Sequence, residues 1–365
     1  MKRNLLRNYL EDPFLDKLMA EIKTAGPINS SLLDITHKCN LRCTGCYFYV
    51  EKMDQHRKTA DNEVFGQFLQ KEIERGINML TIVGGEPSFE IDRLRMLAKH
   101  FKLTIVTNGK DRIPTEGLEN VRLAISFWGD EDQDMLLRGR GKMDVFDQAL
   151  QNYRNDKRAG FYYTIIPGFI NNIEKVTKRM IDNGNYVTYN YYADLAAQGG
   201  RYSHKNSFLS ANDVINQLII KYPESIVSSP YVLDIIARGC MLDKQWGYDV
   251  CPSVTYDHPD NTNRLSVGNR YQKQFRAYNA DLKTTRRCCI GTQRDCDTCV
   301  DLWAISGWIV GAMKAHLRSY DDFVNWLCST YVFYLQTGFI KLPNRSSLLP
   351  EVYRKMGHKI RELNY

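Results

Sequence analysis

No cysteine falls between Cys46 and Cys240, although the 365-residue chain holds ten. The gap leaves three thiols before residue 50 and seven from Cys240 onward. It implies two metal-bearing regions joined by a cysteine-free scaffold. No apolar run reaches the ~18 uncharged residues that a membrane-spanning helix needs. The N-terminus, Met1-Lys2-Arg3-Asn4-Leu5-Leu6-Arg7, lacks the apolar core and small-residue cleavage site of a signal peptide, and Glu11 and Asp12 follow soon after. A disulfide framework is therefore not expected. Metal ligation is the better default, and the expected location is the cytoplasm. There is no internal repeat and no low-complexity tract. No single charge dominates either: 49 basic and 42 acidic residues give +7. So mild and mixed a balance suits a solvated surface or an anionic small ligand, and it is poor ground for nucleic acid.

What is present is ordinary globular composition, 43% apolar and 25% charged, in a length that allows one large domain and a smaller one. Between residues 30 and 195, short β-branched or apolar runs alternate with helical patterns. Strands are predicted over 32–36, 79–83, 103–107, 121–126, 162–166 and 186–191. Helices are predicted over 62–76, 89–100, 145–155 and 173–183. This alternation implies an α/β fold with a parallel sheet of βαβ units, curled into a partial (β/α)6 TIM-like barrel. Residues 1–29 then form an N-terminal extension and 30–196 the barrel. Residues 197–239 are linker and helices, with Gly199-Gly200 and 203–210 reading as linker. Residues 240–365 form a loop-rich, cysteine-rich extension closed by helices over 301–318, 321–337 and from about residue 350.

The densest chemistry is Cys39-x3-Cys43-x2-Cys46, directly after the first strand. Three thiolates in eight residues can hold three corners of an iron–sulfur cube and leave one iron without a protein ligand. An open coordination position is what distinguishes a catalytic metal site from a closed structural one. Zinc held by three cysteines and His37 or His56 is the alternative. Other marked residues also follow strand ends, where barrel chemistry gathers. These are Gly84-Gly85-Glu86-Pro87 after the second strand, Thr107-Asn108-Gly109 after the third, Ser126 at the fourth and Ile166-Pro167 after the fifth. Each such strand end alone is a commonplace; with the cysteine loop, five marked segments on one rim are not.

The cysteine triad together with Gly84-Gly85-Glu86-Pro87 resembles the radical SAM superfamily over roughly residues 30–195. The resemblance implies a [4Fe–4S] cluster on Cys39, Cys43 and Cys46. Its open iron would be chelated by S-adenosylmethionine, which one electron cleaves to a 5′-deoxyadenosyl radical that takes hydrogen from substrate. The resemblance assigns Gly84, Gly85, Glu86 and Pro87 to the amino group of S-adenosylmethionine. The two glycines would leave room for a ligand's ammonium against the backbone. It places Thr107 and Asn108 near the cofactor, Ser126 at the ribose, Arg138 at the carboxylate and Ile166 beside the adenine. Gly45 departs from the aromatic common before the third cysteine, and Tyr47 is the candidate to cover the adenine instead.

The later cysteines loosely resemble a SPASM or twitch extension, which holds auxiliary iron–sulfur clusters. Cys240, Cys251, Cys288, Cys296 and Cys299 are the candidate ligands, Cys288 being preferred to its neighbour Cys289. A four-cysteine zinc ribbon is the alternative. Cys328 lies among apolar residues on a predicted helix and reads as core. Tyr189 and Tyr191 share one face of the last predicted strand, as core or as substrate lining, and Asp194 is a speculative substrate contact. The expected protein is a radical SAM enzyme fed by a donor such as flavodoxin or ferredoxin. Residues 1–29 are too few for a separate leader-binding domain, which tips the expected substrate toward a small molecule. Maturation of a ribosomally made peptide is the alternative, and a non-catalytic zinc or electron-transfer protein is the alternative of another class.

Overall fold

The computed structural model describes residues 2–50, 52–55, 58–167, 170–192, 205–238, 276–287, 300–342 and 348–360. Its apolar runs become strands that pair in the order in which they occur. Helices α1 (Lys2–Tyr9) and α2 (Pro13–Ala25) precede β1 (Ser30–Asp34). Then come α3 (Tyr47–Val50), α4 (Asn62–Glu74), β2 (Met79–Val83), α5 (Ile91–Ala98), β3 (Lys102–Thr107) and β4 (Arg122–Phe127). Next are α6 (Glu131–Leu137), α7 (Val145–Asn152), β5 (Ala159–Ile165), α8 (Ile173–Asp182) and β6 (Tyr186–Tyr191). The six strands form one all-parallel sheet in the order β1 to β6, with Leu33 opposite Ile82, Ile105 opposite Leu123 and Tyr163 opposite Tyr189. This is a partial (β/α)6 barrel: parallel strands with helical crossovers leave their chemistry at the C-terminal rim.

The βα alternation breaks once. No helix joins β3 to β4. Instead Arg158, itself buried and paired with Asp156 at 2.7 Å, donates to the carbonyls of Ile113, Pro114 and Leu118. One guanidinium thereby satisfies backbone that a helix would otherwise satisfy. Helix α6 carries no apolar stripe to announce it, and Leu136 is exposed. It starts at Asp130, whose carboxylate accepts from the Gln133 amide at 3.1 Å.

Beyond the barrel run α9 (Lys205–Lys221), α10 (Pro230–Arg238) and a short antiparallel hairpin of β7 (Arg276–Tyr278) and β8 (Thr285–Arg287). Three helices follow: α11 (Leu302–Gly311), α12 (Tyr320–Gln336) and α13 (Leu349–Ile360). The linker expected over 203–210 is helical from Lys205. Its Ser, Lys and Asn residues look like linker, but Phe208, Ala211, Ile215, Leu218 and Ile219 repeat at helical spacing and are buried. The segment after α9 guards the exposed edge of β6: Val187 N–H donates to Ser225 O (2.9 Å) and Val227 N–H to Val187 O (2.8 Å).

Tyr189 and Tyr191 are core, as one of the two sequence readings had it. Tyr189 shares a 2.7 Å hydrogen bond with Thr177 of α8, and Tyr191 donates to Asn212 of α9 at 3.1 Å. Both therefore face the helical layer and do not line the barrel interior. Cys328 is fully buried in α12, and burial drives its thiol pKa up. The end of α12 lies below the sheet: Gln336 donates to Val227 O at 2.8 Å, and Lys102 reaches Gly338 O at 3.4 Å. The rim at the other end of the strands carries the cysteine loop.

Asp12 ties the two termini together. Its carboxylate caps α2 through Phe14 N–H (3.0 Å), accepts from Tyr320 of α12 (2.8 Å) and pairs with Lys355 of α13. Burial opposes its ionisation, but the hydrogen bonds from Lys355, Tyr320 and Phe14 outweigh burial and hold the carboxyl below the usual 3.8. A depressed carboxyl stabilises the fold above its unfolded value and ceases to do so as pH falls through the folded one. Asp12→Asn is therefore expected to cost about 1–2 kcal/mol at pH 7 in urea unfolding, and the gap should narrow as pH falls below the usual 3.8 and close once the folded carboxyl is protonated. An equal deficit at pH 7 and pH 3 would show that the charge is irrelevant.

Candidate functional site

Strand β1 runs into an irregular loop, residues 35–46, that carries Cys39, Cys43 and Cys46. Backbone alone holds this loop to the end of β2: Gly85 N–H donates to Thr36 O (2.9 Å) and Glu86 N–H to Lys38 O (2.7 Å). The approach is so close that it requires glycine. A Cβ on Gly85 would sit 1.9 Å from the Lys38 carbonyl oxygen. One on Gly84, which takes φ +111°, would sit 2.7 Å from that of Thr36. The sequence suggested that these glycines make room for a ligand's ammonium group. On the Cβ side of both glycines the space is taken by the chain's own residues 34–38.

Glu86 is 1% exposed, and hydrogen bonds engage both of its oxygens. It accepts from the Thr107 hydroxyl (2.6 Å), the Asn108 amide (2.9 Å) and the Ser88 amide (3.0 Å). Burial pushes its pKa up, and those bonds pull it back. Glu86 and Thr107 thus spend their side chains on each other and lock β2 to β3. Pro87 opens a 3-10 turn over Pro87–Glu90, where its missing N–H costs nothing. Asn108 reaches further: its side-chain amide donates to Asn40 Oδ1 at 2.7 Å and lies 4.0 Å from Cys39 Sγ.

Arg138 lies deeper than its expected place at a ligand carboxylate. It is 1% exposed and pairs with the fully buried Asp134 at 2.9 Å. It also donates to Ser126 O (2.7 Å) and Asn108 O (2.6 Å), and its charge opposes the rise that burial gives the Cys43 thiol pKa. One side chain therefore joins the ends of β3 and β4 and helix α6. Neighbouring residues add to the grip. Thr44 N–H donates to Leu137 O (2.8 Å), and Arg140, at φ +53°, donates from Nε to Arg42 O (2.7 Å).

Gly45 takes φ +71°, and a Cβ there would lie 1.9 Å from the Tyr192 hydroxyl oxygen. The aromatic missing from position 45 is thus matched by a ring from the end of β6, itself edge-on to Trp128 with centroids 5.5 Å apart. Sequence reasoning missed Tyr192, Trp128 and Asp134. Only the i,i+4 spacing of Asp134 and Arg138 was visible as a signal. Tyr47 starts α3 and is half-buried. Ser126 is partly exposed at its strand end, and Ile166 is 9% exposed. Cys240, Cys251, Cys288, Cys296, Cys299, Asp194 and His56 lie outside the described residues. His37 Nδ1 is 2.8 Å from the Thr59 hydroxyl.

The three thiols are half-buried and start out protonated. Burial pushes Cys39 to about 11 and Cys46 to about 12 and also raises Cys43; the Cys43 thiol adds to the shift of Cys39, and Cys43 and Cys39 both add to that of Cys46. Among the described residues no three His, Cys, Asp or Glu side chains are gathered closely enough to hold a metal ion as they stand. Metal uptake on this loop must draw the thiols together and release their protons. The donor set fits an iron–sulfur cluster: three sulfurs, with the Asn108 side-chain amide 4.0 Å from Cys39 Sγ.

The comparisons with known proteins agree with that fit. Residues 33–182 match the model of the Radical SAM superfamily. A protein named "Probable GTP 3',8-cyclase" from Methanococcus maripaludis is 26% identical over 124 residues, 31% of this chain and 41% of its own length. Its counterpart in another strain is 27% identical over 110 residues, 27% of this chain and 36% of its own length. The chain thus spans about two-fifths of the curated relatives it matches. A structure of histidine-tagged anSMEcpe with bound AdoMet covers 93% of this chain and 98% of its own, at 13% identity and TM-score 0.49. A structure of TYW1 with a lysine-pyruvate adduct bound covers 52% of this chain and 72% of its own, at 17% identity and TM-score 0.33. Residues 33–182 therefore form a radical SAM domain, and the cofactors of that superfamily are a [4Fe–4S] cluster and S-adenosylmethionine.

Proposed function

We propose that Cys39, Cys43 and Cys46 hold the cluster, and that the protein cleaves S-adenosylmethionine to abstract hydrogen from a small-molecule biosynthetic substrate. The observation that carries this is the loop itself. Three thiols follow β1 at the C-terminal rim, on a loop tied to the end of β2 by the glycine turn, to the end of β3 by Asn108 and to α6 by Thr44. Once bound there, the cluster supplies the single electron that splits the sulfonium C–S bond. The chain's own part is to hold the loop and shield it. Gly85 and Glu86 fix residues 36–38, and Asn108 carries an amide toward Cys39. Tyr192 and Trp128 wall the side next to Gly45. Ser126 and Ile166 end their strands on the same rim and are assigned to the nucleoside of S-adenosylmethionine.

A small-molecule substrate is supported by the relatives named as GTP cyclases, which match over 31% of this chain. The electron comes from a donor of the flavodoxin or ferredoxin kind, and the reducing cytoplasm is the compartment that keeps such thiols free. Cys240, Cys251, Cys288, Cys296 and Cys299 are assigned to at least one auxiliary cluster. In support, hairpin β7–β8 ends one residue before Cys288, and Ala60 N–H donates to Ala280 O within it at 2.7 Å.

The test is anaerobic reconstitution with iron and sulfide, then dithionite and S-adenosylmethionine. 5′-Deoxyadenosine is the expected product. Its absence from protein loaded with at least about four irons per chain would overturn the assignment.

A further inference from the structure

The floor of the barrel, at the end of the strands opposite the cysteine loop, holds a cation without a counter-charge. Strand register sets its neighbours. Thr104 of β3 stands opposite Arg122 of β4, and Ala124 opposite Gly160 of β5. Gly160 and Tyr162 in turn stand opposite Tyr186 and Thr188 of β6. These residues share one face of the sheet. With Val227 and Gln336 they line a cavity that has room for about one water-sized occupant. Arg122 donates to Lys157 O at 3.2 Å, and no carboxylate pairs with it among the described residues. The tail of α12 covers its stem: a Cβ on Gly338 would lie 2.8 Å from Arg122 Cγ. Burial pulls the guanidinium pKa down, and the titratable groups beside it are the phenols of Tyr162 and Tyr186, which burial keeps protonated. The Thr104 hydroxyl is fully buried and has no hydrogen-bond partner among the described residues. Thr188 and Gln336 both donate elsewhere, to Val227 O at 3.0 and 2.8 Å.

We propose that this cavity binds one anion of halide size, chloride by its chemistry, between the Arg122 guanidinium and the Thr104 hydroxyl. A charge withdrawn from water is costly unless an opposite charge or a full set of hydrogen bonds meets it. Water would satisfy the Thr104 hydroxyl and leave the charge of Arg122 uncompensated. An anion answers both, because hydroxyl, guanidinium and phenol all donate toward it. The size of the space excludes phosphate, sulfate and any nucleotide. Gly160 is what leaves it open: a Cβ there would meet nothing closer than Tyr162 Cε2, at 3.8 Å. The lining runs from β3 through β6 to Gln336 of α12, so a bound anion fastens the closing helix to the barrel floor. The site is independent of any cluster on the cysteine loop.

The experiment is urea unfolding of the whole chain, with sodium chloride exchanged for sodium gluconate at fixed ionic strength. Gluconate is too large to enter. Wild type is expected to gain stability with chloride along a saturating curve. Its folded-to-unfolded ratio should rise about elevenfold at ten times the dissociation constant. Gly160→Ala places a methyl in the cavity without a backbone clash. It should fold as well as wild type in gluconate and lose the chloride response. Arg122→Gln should lose it too, and Thr104→Ala should need several-fold more chloride. In crystals grown with bromide, an anomalous peak is expected between Arg122 and Thr104. A wild-type response no larger than that of Gly160→Ala would overturn the inference, as would a cavity without bromide. Where Arg122→Gln does not fold, Gly160→Ala decides alone, and a full chloride response in it sinks the site.

Discussion

Cys43→Ala is expected to abolish 5′-deoxyadenosine formation while leaving the fold intact. The loop offers three sulfurs, and a cluster that already lacks a fourth protein ligand does not tolerate losing another. The fold should survive because little else depends on the thiol. Arg138 keeps Asp134, Ser126 O and Asn108 O, and the Thr44–Leu137 bond is backbone to backbone. A cost of about 1 kcal/mol is expected in urea unfolding, against loss of product by at least ~1,000-fold. Cys328→Ala supplies the contrast. That thiol is fully buried in α12, so its removal leaves a small cavity and costs about 1–2 kcal/mol without touching product formation. Iron retained by Cys43→Ala would measure whatever the later cysteines bind. Full activity in Cys43→Ala would remove the triad from the chemistry, and with it the proposed function.

Much of this arrangement could be read from the chain. The bounds of β2 and β6 match their expected runs of residues, because β2 is wholly apolar or β-branched, β6 is rich in Tyr, Val and Thr, and turns flank both. The rim residues were found because strand ends and glycine turns are local features. What the sequence hid is non-local. Nothing near Gly45 announces that Tyr192, 147 positions later, fills the space beside it. Arg158, standing in for a crossover helix, works through three carbonyls 40–45 residues away. Arg138 was recognisable as a marked arginine, yet its partners are a carboxylate and two strand ends that only the barrel brings together. The site's chemical inventory was local, and the order in which its members hold one another was tertiary.

The same distinction makes Gly85→Ala the most damaging change expected outside the cysteines. The glycine pair follows β2 and reads as a turn, which alanine would tolerate at a modest cost. The structure gives a different magnitude. A Cβ at 1.9 Å from Lys38 O cannot be absorbed by a rotamer change, since both sides of the contact are backbone. The loop must separate from β2, stretching the Gly85–Thr36 and Glu86–Lys38 bonds of 2.9 and 2.7 Å. Overpacking of this kind costs about 1–3 kcal/mol, and each weakened bond adds roughly 1. A loss of about 3–5 kcal/mol in urea unfolding follows. Iron uptake should fall with it, because Cys39 is the next residue after Lys38. Gly66→Ala is the matched control. It lies inside α4 with nothing within 4 Å of its added Cβ and should stabilise by about 0.5–1 kcal/mol, with iron unchanged. Opposite signs for the two glycines are the expected signature. Wild-type stability and loading in Gly85→Ala would mean that the cysteine loop is not held by the turn after β2.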